Sequence, residues 1–117
     1  MAKLISIFWR DIPAQVIGRV GRDNHKLQLA PRFAEAIDRA AMRAGKGSSD
    51  LYLAEWRRES EDVETSDIGA LVSARVAELE SRFSDEFLEA VTKAGGLIAN
   101  IKDRTPALTT PEPGDTQ

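Results

Sequence analysis

The stretch FWRDIPAQV, residues 8–16, decides how the first two apolar segments of the chain are connected. Residues 3–9 (KLISIFW) have the composition of a β-strand, and residues 15–20 (QVIGRV) read as a second strand. Between them, Pro13 has no N–H to give to a sheet and biases Ile12 toward an extended backbone. The pattern therefore predicts that residues 11–13 break the first strand and turn the chain into the second.

The first strand is predicted to lie in the centre of a sheet. Ile5 and Trp9 fall on one face of the strand, and Leu4 and Phe8 fall on the other. Because apolar side chains point both ways, both faces are expected to be covered. In the second strand, Gly18 indicates either a bulge or a close approach of another part of the chain.

The polar segment at residues 21–25 predicts a turn after the second strand. Residues 26–29 either extend the second strand or form a third one, with Leu27 and Leu29 facing inward. Pro31 is suited to the first position of a helix, where its missing N–H costs nothing. An apolar stripe at helical spacing follows it, made of Phe33, Ile37, Ala40, Ala41 and Ala44. Gly45 and Gly47 are expected to end this helix.

Two more helices are predicted in the second half of the chain. Ser66 or Asp67 is expected to cap the first of them. Its apolar stripe consists of Ile68, Leu71, Val72, Val76, Leu79 and Phe83. A short helix then opens at residues 84–86, carries Phe87, Leu88 and Val91, and ends at residues 95–96, two glycines. Residues 97–101 are expected to form a final turn or a short edge strand.

Residues 50–58 (DLYLAEWRR) fit either a strand or a helix that Asp50 would cap. Their length, their aromatic residues and the acidic segment that follows favour a strand. Residues 59–64 are interpreted as an acidic loop. The predicted fold is thus α+β, a small open sheet of three or four strands with two or three helices on one face, in the order β-β-α-β-α-α. A single domain is expected over residues 1–102, and residues 103–117, rich in Pro and Thr, are expected to be disordered.

The composition is that of a soluble globular protein, with 42% hydrophobic and 30% charged residues. No apolar run approaches the roughly 20 residues that a membrane span requires. The first residues do not resemble a signal peptide, and the chain has no cysteine. A cytoplasmic protein without disulfides or thiolate metal sites is therefore expected.

Charge is distributed unevenly along the chain. Residues 1–58 contain 11 Lys and Arg against 6 Asp and Glu, whereas residues 59–117 contain 5 against 13. A basic face in the first half is one interpretation, and attraction between the two halves within the fold is the other. The sequence pI of about 5.2 makes nucleic acid an unlikely partner.

Two segments end alike, in Trp9-Arg10 and in Trp56-Arg57. If their strands ran parallel, both pairs would meet at the carboxyl end of the sheet, where open α/β sheets place ligands. The candidate binding residues, for a partner or an anion, are Trp9, Arg10, Asp11, Arg19, Trp56 and Arg57. The alternative is structural: Arg10 pairing with Asp11, and Arg57 pairing with a carboxylate that follows it.

Candidate catalytic and metal-binding residues are scarce. His25 is the only histidine and lies in a polar segment, so no zinc site can be assembled. GKGSS at residues 45–49 follows a helix, whereas a phosphate-binding P-loop follows a strand. An enzyme would have to use Asp11 or Asp23 as its base. We therefore expect a non-catalytic protein without a cofactor or a metal.

The chain resembles the small bacterial "virulence factor" domain family, and also a segment of the larger conserved virulence factor C proteins. The resemblance rests on FWRDIPAQVI (8–17), LAPRFAEAIDRAAMRAG (29–45) and YLAEWRR (52–58). The family name describes a phenotype and gives no mechanism. Members of this family tend to accompany folate- and corrinoid-dependent one-carbon enzymes, notably proteins similar to methylenetetrahydrofolate reductase. The resemblance therefore implies an accessory subunit or partner protein of such an enzyme.

Two function hypotheses follow. The first is an accessory protein that docks on a partner enzyme, because Trp and Arg are frequent interface anchors. The alternative is a module that binds small anions such as folates, nucleotides or phosphates through Arg10, Arg19 and Arg57. The sequence does not decide whether the protein forms a homodimer through a free edge strand.

Overall fold

A computed structural model describes residues 2–101 as a four-stranded sheet with helices. The elements in chain order are β1 (Ala2–Trp9), β2 (Ile12–Val20), β3 (Asp23–Gln28), α1 (Pro31–Arg43), α2 (Ser49–Ala54), β4 (Trp56–Val63), α3 (Ile68–Arg82), α4 (Asp85–Lys93) and a 3-10 turn (Ile98–Asn100). The α+β class is confirmed, and β3 and α2 are added to the predicted order. The disorder predicted for residues 103–117 lies outside the described residues.

The strands are arranged in the order β3-β2-β1-β4, and each neighbouring pair is antiparallel. The central position predicted for β1 is confirmed, since Leu4 and Ile5 are both buried although they point to opposite faces. The parallel arrangement considered for β1 and the segment after α2 is wrong. The strands of residues 2–9 and 56–63 run in opposite directions.

The turn between β1 and β2 is shorter than predicted. Arg10 and Asp11 alone form the loop, while Ile12 and Pro13 already belong to β2. Pro13 is tolerated in an inner strand because the β1–β2 register shifts there, where Phe8 pairs with Pro13 and Ala14 is skipped. The reversal instead depends on Arg10, whose φ of 54° lies in the left-handed region.

Gly18 marks a close approach of a helix to the sheet. A Cβ atom at this position would lie 2.5 Å from Cγ1 of Ile68 and 2.6 Å from Cγ2 of Val72. Because Gly18 pairs with Leu4 on β1, this contact places α3 against the face of the sheet that carries Leu4. Ile5, next to Leu4 along the strand, points to the opposite face.

The predicted helical stripes form the core. On α1 the buried residues are Phe33, Ala36, Ile37, Ala40 and Ala41, and on α3 they are Ile68, Val72, Val76 and Leu79. Phe83 joins them, with its ring 5.9 Å from Phe33 and 5.2 Å from Phe87 on α4. Asp67 caps α3 by accepting a hydrogen bond from the backbone N–H of Ala70, as predicted.

The segment predicted as one strand over residues 50–58 divides into a helix and a strand. Residues 49–54 form α2, and β4 begins only at Trp56. The acidic loop predicted for residues 59–64 is wrong, because most of it is β4. As an outer strand of the sheet, β4 keeps its charged side chains in solvent or in ion pairs. Glu61, for example, accepts two hydrogen bonds from Arg75 of α3, each 3.2 Å long.

The third strand also differs in detail. Residues 26–28 belong to a separate third strand, which is one of the two predicted alternatives. This strand, β3, begins at Asp23, inside the predicted turn. Leu29 is buried as expected, whereas Leu27, which pairs with the buried Val16 and so lies on the core side of the sheet, is 41% exposed. β3 is the other outer strand, so a side chain on its core side reaches solvent at the edge of the sheet.

Candidate functional site

The two Trp-Arg segments meet, although not as parallel strand ends. Trp9 closes β1 and Trp56 opens β4, so the antiparallel register makes them direct partners. Tyr52 of α2 completes a row of rings: it stacks on Trp9 at 5.9 Å and meets Trp56 edge-on at 5.8 Å. The juxtaposition predicted from the sequence is therefore present, through the opposite strand direction.

Trp9 is a core residue with 0% exposure. Its indole N–H donates a hydrogen bond of 2.9 Å to the backbone carbonyl of Tyr52. The other side of the ring contacts the loop after α4, where a Cβ atom on Gly96 would lie 2.9 Å from Trp9 Cζ3. Gly96 has a φ of 92°, so both its conformation and its small size are required. In this position Trp9 is inaccessible to a partner.

Arg10 holds the hairpin loop in place. Its Nη1 donates a hydrogen bond of 3.0 Å to the carbonyl of Gly95, and its backbone N–H donates to the carbonyl of Glu55 at 3.1 Å. The Nε atom lies 3.3 Å from the Glu55 carboxylate, and Lys46 approaches the other oxygen at 3.4 Å. These cations, Arg10 first, lower the pKa of Glu55. The contacts offset the left-handed backbone of Arg10, which costs about 1–3 kcal/mol in a residue other than glycine.

Asp11 and Arg57 connect this loop to its surroundings. One carboxylate oxygen of Asp11 accepts the backbone N–H of Ile98 at 2.8 Å, and the other lies 3.5 Å from Arg57. Arg57 donates from Nε to the carbonyl of Arg10 at 2.8 Å, pairs with Glu59, and covers the ring of Phe8 at 4.5 Å. Arg57 thus pairs with a carboxylate that follows it in the sequence, as the structural alternative predicted. Arg10, however, pairs with Glu55 and not with Asp11.

Arg19 does not belong to this cluster. It pairs with Lys3 across the β1–β2 ladder, six residues along β1 from Trp9. At about 3.4 Å per residue this separation is roughly 20 Å. Arg19 donates a hydrogen bond of 3.1 Å to Asn24 on β3. The expectation that Arg19 joins the two Trp-Arg pairs is therefore wrong, because the antiparallel hairpin carries it to the opposite end of the sheet.

A cavity of about 400 Å³ lies between α1, α2 and the sheet, with Trp56 in its lining. The residues that line it are Ala14, Gln15, Gln28, Leu29, Pro31, Ala34, Ile37, Asp38, Tyr52 and Trp56. We call this cavity the groove. Burial and the nearby carboxylate of Asp38 raise the pKa of Tyr52, so the phenol stays protonated at neutral pH.

A second cavity of about 340 Å³ shares Gln15 and Trp56 with the groove. Its remaining lining residues are Ile7, Arg57 and Arg58. The two cavities are therefore neighbours, and Trp56 and Gln15 line both of them. A carboxylate, Asp38, lies on one side of Trp56, and two guanidinium groups lie on the other.

The second cavity opens onto the face of the sheet opposite α3. The cross-strand register assigns to this face the side chains of Lys3, Ile5, Ile7, Gln15, Ile17, Arg19, Asn24, Lys26, Gln28, Arg58, Ser60 and Asp62. We call it the open face. Ile5 and Ile17 form its centre; they are 2% and 6% exposed, yet neither belongs to the core cluster that includes Leu4 and Val16. Four cationic side chains and one carboxylate surround them.

The residues of the groove and of the open face escaped sequence reasoning because most of them are ordinary polar residues. Gln15, Gln28 and Asp38 belong to three different elements, and only the tertiary fold brings them together. One signal was available: Lys3, Arg19 and Lys26 alternate with apolar residues in the predicted strands, which indicates a face that carries positive charge.

Among residues 2–101 no helix is long and apolar enough to cross a membrane. The same residues contain no group of three His, Asp or Glu side chains that could hold a metal ion.

Comparisons with known proteins identify a family for the chain. No curated protein and no solved structure matches the chain. The family described as Virulence factor matches residues 7–92, which include β2, β3, β4 and most of the helical core. The chain therefore belongs to the Virulence factor family.

Proposed function

We propose that the protein is a non-catalytic accessory module of the cytoplasm that docks on a partner protein through the open face. The single observation that carries this proposal is the composition of that face. Lys3, Lys26 and Arg58 are exposed on it, whereas the apolar pair at its centre, Ile5 and Ile17, is only 2% and 6% exposed and lies beneath the contact surface. A cationic surface attracts a partner of opposite charge and orients it.

The charge of the open face favours an acidic partner. Lys3 pairs with Asp62 at 2.8 Å, which leaves Arg19, Lys26 and Arg58 to attract carboxylates. Within residues 2–101, the Arg19 side chain donates to the neutral amide of Asn24 and to no carboxylate. A partner segment rich in carboxylates would fit this face. The family resemblance supports an enzyme similar to methylenetetrahydrofolate reductase as the first candidate to test.

The Trp9-Arg10 cluster supplies support for this surface. Trp9 and Arg10 fix the end of β1 against β4, and β4 carries Arg58 on the open face. This assignment differs from the original hypothesis, in which Trp9 and Arg10 themselves touched the partner. It follows from the burial of Trp9 and from the hydrogen bonds that occupy Arg10.

Affinity capture with charge-reversed variants tests the proposal. The tagged protein carrying Lys26→Glu and Arg58→Glu is compared with one carrying Arg39→Glu and Arg82→Glu, a matched change on α1 and α3. Binding to the purified reductase-like enzyme is measured in parallel. We expect the open-face variant to lose its partner and the helix variant to keep it. Equal capture by both variants, or loss in both, contradicts the proposed surface.

Binding of small anions is a second candidate function. It is favoured by Arg57 and Arg58, which line the second cavity beside Trp56. Thermal unfolding in the presence of folates, nucleotides and polyphosphates tests this idea. A ligand at 100 times its dissociation constant adds about 2.7 kcal/mol to stability. Absence of any shift across these compounds excludes this function.

A further inference from the structure

The polar side chains around the groove have no partners within the fold. Gln15, Gln28 and Asp38 make no side-chain hydrogen bond or ion pair with any other residue of the described range 2–101, and the same holds for the hydroxyl of Tyr52. Two carboxamides, a carboxylate and a phenol thus converge on a cavity with free hydrogen-bonding capacity. Gln28 and Asp38 are exposed and Gln15 and Tyr52 are half-buried, so these groups meet solvent at the cavity, where a ligand can replace the water.

The walls of the groove define the shape of that ligand. Trp56 provides an indole ring that lines both the groove and the second cavity. Leu29, Pro31 and Ile37 add apolar surface to the lining. The volume of about 400 Å³ falls in the range of small-molecule sites. A flat aromatic group fits such a space, because aromatic rings stack on an indole at little entropic cost.

The charge of the groove defines the chemistry of the ligand. Asp38 is the only lining residue that is charged at neutral pH, since the pKa of Tyr52 is raised. Asp38 and Tyr52 line the same cavity, so both can contact one ligand. A carboxylate flanked by amides accepts hydrogen bonds from amino, amidino or guanidino groups and repels anions.

We propose that the groove is a binding site for a planar aromatic molecule that carries a cationic or donor-rich amino group, with the ring against Trp56 and the amino group on Asp38. This site borders the open face, with which it shares Gln15 and Gln28, but its carboxylate makes its chemistry opposite to that of an anion site. Its role does not depend on the partner proposed above.

Benzamidine and benzoate form a matched pair of probes, because they share size and planarity and differ in the sign of their charge. The full-length protein is labelled with ¹⁵N and titrated with each probe while the indole N–H resonances are followed. The chain has two tryptophans, and Trp56→Phe assigns their signals. We expect benzamidine to shift the Trp56 signal and the Asp38 amide, with a smaller change at the buried Trp9. Benzoate is expected to leave the Asp38 amide unchanged.

Asp38→Asn provides the decisive variant. Asp38 is exposed on α1, so the substitution keeps the shape of the groove without disturbing the core. Loss of a charged hydrogen-bond acceptor is expected to weaken benzamidine binding by about tenfold or more. Glu35→Gln, which removes a carboxylate from α1 outside the groove, should have no effect. Equal binding of the two probes, absence of benzamidine binding, or unchanged affinity in Asp38→Asn overturns the proposal. Partner capture by Asp38→Asn, measured separately, reports on the open face alone.

Discussion

Replacement of Trp9 by Phe separates a structural role for this residue from a role at the surface. The change removes the indole N–H that donates to the carbonyl of Tyr52 at 2.9 Å. A buried carbonyl left without its donor costs about 1–3 kcal/mol. The smaller ring also leaves a void of roughly 40 Å³, which adds about 1 kcal/mol at about 24 cal/mol per Å³. We therefore expect Trp9→Phe to lower the free energy of unfolding by about 2–4 kcal/mol.

The assay is urea unfolding at 25 °C, followed by far-ultraviolet circular dichroism so that the loss of a fluorophore does not affect the signal. Trp56→Phe serves as the matched control, because this half-buried residue loses only an edge contact with Tyr52 and part of a cavity wall. Its cost should stay near or below about 1 kcal/mol. Equal destabilisation by the two substitutions, or a cost of Trp9→Phe below that of Trp56→Phe, would refute the structural assignment of Trp9.

Two further predictions concern the packing of α3 and the ion pair at the hairpin loop. Gly18→Ala should destabilise the fold by about 1–3 kcal/mol because its Cβ would meet Ile68 and Val72. In a Val72→Ala background the same substitution should cost less, because part of the obstructing side chain is gone. Strictly additive changes in the free energy of unfolding would contradict this contact. Arg10 and Lys46 lower the pKa of Glu55 in the folded protein below its ordinary value of 4.5. The ionised carboxylate therefore stabilises the fold above pH 4.5, and this stabilisation is lost as the pH falls through the pKa of the folded state. The difference in unfolding free energy between the native protein and Glu55→Gln should therefore be largest near neutral pH and disappear in acid; a difference independent of pH would show that the ion pair contributes nothing.

The helical half of the fold could be predicted because its signals are local. Pro31 at the start of α1, the side-chain cap at Asp67 and the apolar stripes all operate within one or two turns of a helix. Such features do not depend on what the rest of the chain does. The structure confirms each of them, including the helix end at residues 95–96.

The position of β4 could not be predicted for the opposite reason. It is an outer strand, so neither of its faces needs to be apolar, and its sequence WRRESEDV resembles a solvated loop. Contacts from distant parts of the chain stabilise it: Lys3 pairs with Asp62 and Arg75 pairs with Glu61. Backbone hydrogen bonds to β1 stabilise the strand as well. Such pairing does not require alternating apolar residues, so an exposed strand shows no periodic pattern in its sequence.

The candidate site was predicted in part. The adjacency of Trp9 and Trp56 was expected, but strand alternation gives the face of a side chain and not the direction of its strand, so the parallel geometry was wrong. The same limit placed Arg19 in the wrong cluster. Gln15, Gln28 and Asp38 have no distinguishing spacing in the sequence, and the groove that they line exists only after α1 packs beside the β1–β2 hairpin.

The most direct test of the account is the accessibility of each tryptophan, because Trp9 is assigned to the core and Trp56 to the groove. Acrylamide quenching of fluorescence is measured on the two single-tryptophan variants, Trp9→Phe and Trp56→Phe, at a temperature where both are folded. We predict that Trp56, the remaining fluorophore in Trp9→Phe, is quenched several-fold more strongly than Trp9 in Trp56→Phe. Equal quenching, or stronger quenching of Trp9, would contradict the division of the cluster into a buried support and an accessible binding wall.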